Sequence, residues 1–97
     1  MRKKAYYISL LKDHIQDFKQ RFGITSLQLF GSVARDEQRE GSDVDVFVEM
    51  PCSMTKVCGA QLYLEELLGT HVDLVRNHRN LSDFFLKQIE RDAIRIY

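Results

Sequence analysis

Two short runs of β-type residues, Leu27, Leu29 and Phe30, then Val44, Val46, Phe47 and Val48, enclose one polar loop in the stretch LQLFGSVARDEQREGSDVDVFVEM. Runs of this kind read as strands of one sheet. They bring the loop between them, and the carboxylates that open the second run, to one sheet end. A chain of 97 residues can bury a modest core but is short of the size at which chains split in two. The expectation is a single domain over residues 1–97, with no second domain to select a substrate.

The rest of the pattern supplies helices for that sheet. Ile8, Leu11, Ile15, Phe18 and Phe22 recur at steps of three and four, which predicts one amphipathic helix ending at Gly23. Residues 31–37 fit a tight turn and a short helix, and Pro51 closes the second strand. Val57, Ala60, Leu64, Leu67 and Leu68 predict another helix, capped by Ser53 or Thr55 and stopped at Gly69. HVDLV, residues 71–75, reads as a strand beside the Asp43 strand. Ser82 caps a last helix with Phe85, Ile89 and Ala93 on one face, and AIRIY fits either its tail or a final short strand. Strands alternating with helices predict an α/β (α+β) fold, a small mixed sheet of three to four strands packed by helices.

Composition excludes several functions. The 14 basic residues balance the 14 acidic ones, so the excess positive charge behind counterion-release binding is missing and direct nucleic-acid binding is disfavoured. No apolar run approaches the roughly 20 residues that span a bilayer. Cys52 and Cys58 are too few and too oddly spaced for a disulfide framework or a zinc site, and the N-terminus lacks a signal-peptide pattern, so a cytoplasmic location with reduced thiols is expected. Cys58 reads as a small packing residue, and His14, His71 and His78 show no metal spacing. The aromatic surplus at Tyr6, Tyr7, Phe84 and Phe85 suits an oligomer interface or a core equally well.

The chemistry is concentrated in one place. Residues two apart on a strand share a face, about 6.6 Å apart along the chain, so Asp43 and Asp45 project together while Val44 and Val46 point into the core. Like charges that close repel unless a cation neutralises them or one acid takes a proton. Hard carboxylate oxygens suit Mg²⁺ or Mn²⁺, and Mg²⁺ commonly borrows ligands from a substrate phosphate. Gly31 permits close backbone approach, and Ser32 offers a hydroxyl and an N–H at the start of the short helix, where an anion is favoured. Arg35 can pair with that phosphate or with a carboxylate of the same site, and the spacing does not separate the two. Asp73, on the neighbouring strand, is the candidate third carboxylate for holding two metal ions.

GSVAR, then SDVDVFV, then VDLV resembles the signature of the DNA polymerase β-type nucleotidyltransferase superfamily, and the length resembles its minimal nucleotidyltransferases. The resemblance covers nearly the whole chain and implies a polymerase β-like nucleotidyltransferase core. It implies that Asp43 and Asp45 bind both metals, that Asp73 binds one and helps deprotonate an acceptor hydroxyl, and that Gly31 and Ser32 hold the triphosphate of ATP or another nucleoside triphosphate. The implied reaction is nucleotidyl transfer with release of pyrophosphate. Many minimal nucleotidyltransferases are similar to the antitoxin half of two-gene modules, which implies a helical HEPN-type protein as partner and a tyrosine on it as acceptor. A non-catalytic, nucleotide-binding subunit acting by occlusion and a small-molecule nucleotidyltransferase are the alternatives. The chain departs from the pattern at Asp36, where such proteins often carry glycine after the arginine, so the geometry of that turn is the open point.

Overall fold

The alternation along one strand decides how the molecule is layered. In the computed structural model, which describes residues 2–97, β2 (Val44–Glu49) buries Val44, Val46 and Val48 completely. Asp45 and Phe47 therefore point to the opposite face of the sheet. β1 (Ser26–Phe30) pairs antiparallel with β2, β3 (Val72–Arg76) pairs parallel on its other side, and β4 (Ile94–Arg95) pairs antiparallel with β1. The order β3-β2-β1-β4 is a four-stranded mixed sheet packed by helices, the expected fold class.

The parallel pair needs a crossover, and α4 (Met54–Leu68) supplies it. Ser53 caps α4 by accepting from the Lys56 N–H, which settles the choice between Ser53 and Thr55. Ala60, Leu64 and Leu68 on α4 meet Tyr7 and Leu11 of α1 (Lys4–Lys12) and Phe18 and Phe22 of α2 (Ile15–Phe22), closing the main core over Leu27, Leu29 and the three valines. The second face is covered by α5 (Asp83–Asp92), capped by Ser82. There Phe30 meets Phe47 edge-on at 6.4 Å and Phe85 at 6.1 Å between ring centres, and Ile89 is buried.

Two expectations are corrected, and the open reading of the aromatic surplus is resolved. The single helix expected through Phe22 is two helices, because the His14 ring makes a 2.8 Å hydrogen bond to the Leu10 carbonyl, the acceptor a continuing helix would reserve for the His14 N–H. That N–H turns to the Leu11 carbonyl instead. The apolar periodicity survives because Leu11, Phe18 and Phe22 all still reach the core. Cys58 is exposed, not a packing residue. The aromatic surplus divides: Tyr7 is buried, whereas Tyr6 and Phe84 lie on the surface. The chain end forms β4, with Leu27 donating to the Tyr97 carbonyl and accepting from Ile96. Among the described residues, no helix is long and apolar enough to cross a membrane.

Candidate active site

At the end of β1 the chain turns directly into α3 (Gly31–Ala34). Gly31 makes this turn with φ +76°, a left-handed backbone that side-chain-bearing residues rarely take. Phe30 is the register partner of Asp45, and Asp45 is the register partner of Asp73. The three form one row across the sheet, on the face away from the main core. Gly31 lies against that row so closely that a Cβ added to it would sit 2.8 Å from Asp45 Cγ. Glycine is thus required twice over, by the backbone angle and by the carboxylate beside it. Ser32, half-buried, is the second residue of α3, and no side chain caps the start of that helix.

The structure brings the predicted acids together electrostatically. Asp45 is half-buried, while Asp43, just before β2, and Asp73 are exposed. Burial pushes the Asp45 carboxyl up to about 6, helped by the negative charges of Asp73 and Asp43, with Arg35 pulling the other way. Desolvation and like charge both disfavour the anion, so Asp45 holds its proton more tightly than an ordinary aspartate does. Among the described residues, no three His, Cys, Asp or Glu side chains are gathered tightly enough to form a ready metal-ligand set. Two adjacent carboxylates with a third in electrostatic range are nevertheless the donor chemistry a hard divalent cation takes, with substrate oxygens and water completing its shell.

Arg35 does not rest on these acids. Its Nε donates to Glu37 Oε2 at 3.0 Å, and its Nη1 lies 3.5 Å from Asp92 Oδ2 on α5. Asp36, the departure from the family pattern, stands at φ 58°. This is the left-handed conformation glycine would adopt there, and aspartate is among the residues that tolerate it. Asp36 thus holds a turn conformation that glycine would also allow, and it is paired to Lys4 at 3.3 Å. Beside Gly31 and Arg35 a cavity of about 300 Å³ opens between α3 and α5, lined also by Phe30, Phe85, Arg91 and Asp92. Phe85 is legible in the sequence as part of the apolar face of the last helix, but Arg91 and Asp92 are not. Helical phase places Asp92 one turn past Ile89, but nothing in the chain signals that α5 reaches α3.

The nucleotidyltransferase domain family matches residues 11–96 of the chain. Protein adenylyltransferase MntA of Thermococcus cleftensis is 38% identical over 89 residues, covering 89% of this chain and 88% of that protein. A solved structure named "putative minimal nucleotidyltransferase" superposes with a TM-score of 0.78 at 32% identity, covering 96% of this chain and 95% of that one. The fold is also shared, at a TM-score of 0.58 and 22% identity, with a chain from the complex of the tri-AMPylated Shewanella oneidensis HEPN toxin and its MNT antitoxin, covering 97% of this chain and 68% of that one. With the glycine turn packed on a row of paired carboxylates, the chain belongs to the nucleotidyltransferase domain family and is a nucleotidyltransferase.

Proposed function

We propose that this nucleotidyltransferase moves AMP from ATP to a hydroxyl of a helical HEPN-type partner protein, releasing pyrophosphate. Another nucleoside triphosphate is the alternative donor, and nucleic acid and membrane take no direct part. The observation that carries the reading is the packing of Gly31 on Asp45 within the Phe30, Asp45, Asp73 row. It sets a close-approach turn for phosphate beside the acids that would hold cations. The names borne by the similar proteins from Thermococcus and Shewanella support protein AMP transfer and a HEPN partner.

In this reading Asp43, Asp45 and Asp73 would hold two Mg²⁺ ions, or Mn²⁺, and Gly31 and Ser32 would hold the triphosphate. Bound there, the cations would supply charge neutralisation at the phosphates and would acidify the acceptor hydroxyl. Asp73, the more exposed of the register pair, receives the proton of that hydroxyl. The acceptor oxygen forms its bond to the α-phosphorus as the bond from that phosphorus to the α,β-bridging oxygen breaks, and the electron pair leaves with pyrophosphate. The raised Asp45 carboxyl fits a site that awaits positive charge, because a bound cation favours the ionised form.

The test is incubation with α-labelled ATP, Mg²⁺ and the product of the neighbouring gene, with Asp45→Ala alongside. Label on the neighbour that disappears with Asp45→Ala is the expected result. Label that survives the substitution, or none with wild type, defeats the proposal.

A further inference from the structure

An open groove of about 610 Å³ runs between α2 and α4, on the main-core side of the sheet and away from Asp45 and Asp73. Leu62, on its α4 wall, is 66% exposed, and Met54, two turns earlier on the same helix, is 81% exposed. Cys58, midway between them, is exposed as well. Residues four apart share a helix face, so the three form one apolar stripe that faces water. Two charges stand on the groove walls, Arg21 on α2 and Glu66 on α4. Arg21 is held in place, its guanidinium 5.0 Å from the ring centre of Tyr63 and 5.3 Å from that of Phe22. Asp17, the acid one turn before it, is engaged by the Tyr63 hydroxyl, which donates to it at 2.7 Å. Among the described residues neither Arg21 nor Glu66 is in an ion pair.

We propose that this face receives a second copy of the chain, the two α2–α4 grooves closing on each other about a two-fold axis. Rotation about an axis through the groove exchanges its walls, so Arg21 of each copy meets Glu66 of the other. The same rotation carries each Leu62 onto the α2 wall of the other copy. A face with one sign of charge repels its own copy, whereas one charge of each sign, on opposite walls, is self-complementary. An apolar stripe flanked by charges that pair across the contact has the make-up of an interface core and its rim. Because the aromatic rings already fix the Arg21 guanidinium, little freedom is lost when it pairs. Asp45 and Asp73 lie on the other face of the sheet, so the dimer leaves both sets of acids uncovered.

Sedimentation of the full chain across a dilution series, without nucleotide, reads the mass. Wild type should sediment at twice the 11.4 kDa of one chain and dissociate on dilution, while Leu62→Glu stays at the mass of one chain. Arg21→Glu and Glu66→Arg should each be monomeric where wild type is dimeric, because each sets like charges face to face. An equal mixture of the two should recover the dimer, since one variant then offers acids at both positions and the other offers bases. That recovery cannot arise from a folding defect, and melting of each variant alone checks that the fold is kept. If either reversal melts early, Leu62→Ser decides, and a dimer it does not weaken overturns the proposal. So does a dimer that both reversals leave intact, or one that the mixture of well-folded variants fails to restore. A wild-type chain that stays monomeric also overturns it, including the case in which Leu62→Glu abolishes capture of the neighbouring gene's product and the face belongs to that partner.

Discussion

A Cβ on Gly31 would lie 2.8 Å from Cγ of Asp45, so the turn that offers backbone to phosphate and the acid that would hold cation occupy adjoining space. Gly31→Ala therefore strains the left-handed backbone and displaces the carboxylate at once. The expected loss of folding stability is about 2–4 kcal/mol, read by urea unfolding. Because the clash is with the Asp45 side chain, adding Asp45→Ala should recover at least about 1 kcal/mol of it, a coupling that double-mutant cycles resolve. Additive losses would show that the backbone angle alone makes glycine necessary.

Asp45 also gives the metal-free protein a pH signature. Its carboxyl is raised from an ordinary value of 3.8 to about 6, so the folded state holds the proton more tightly than the unfolded chain. The stabilisation is complete below pH 4 and is lost as pH rises through 6, with an upper bound of about 3 kcal/mol. Asp45→Asn keeps the shape without the charge. At pH 7 and without divalent cation it should raise Tm by on the order of 10 °C, while abolishing any further rise on adding ATP with Mg²⁺. A variant that melts no higher than wild type would mean that the cluster imposes no cost.

Much of this site could be read from spacing, since a strand of alternating valine and aspartate leaves only one face for Asp45, and a β-branched run containing Asp73 has an obvious neighbour. The division of labour among the acids could not. Asp43 and Asp45 look equivalent in D-x-D, yet Asp43 is exposed ahead of the strand and Asp45 carries the desolvation, because only Asp45 lies in register between Phe30 and Asp73. The break at His14 escaped for a related reason. Side-chain competition for one backbone carbonyl leaves hydrophobic periodicity intact. Spacing leaves Arg35 between phosphate and a site carboxylate; of its resting partners Glu37 is local, but Asp92 depends on a helix packing that no local pattern encodes.

The turn after Arg35 gives a sharper test of a departure from family pattern. Asp36 holds φ 58°, so Asp36→Gly relieves strain but gives up the exposed pair with Lys4, and stability should change by less than about 1 kcal/mol. Asp36→Val puts a β-branched residue where it is a true outlier and should cost about 1–2 kcal/mol. Nucleotide binding by Asp36→Gly should match wild type, since the loop path is the same. Titration with ATP and Mg²⁺ reads that arm, and a large gain in affinity would show that aspartate distorts the site.

The second face of the sheet should open more easily than the first. The main core joins α1, α2, α3 and α4 to the sheet, whereas α5 is held to its face by Phe85, Ile89 and the ring contacts among Phe85, Phe30 and Phe47. Phe85 is only half-buried, so Phe85→Ala should cost about 1–2 kcal/mol, less than a fully buried phenylalanine. The loss should be local. Amide exchange should accelerate along α5 while α4, anchored by Ala60, Leu64 and Leu68, keeps its protection. Equal loss of protection in α4 and α5 would instead mean that both faces of the sheet unfold as one unit, leaving the α3–α5 cavity no independent motion.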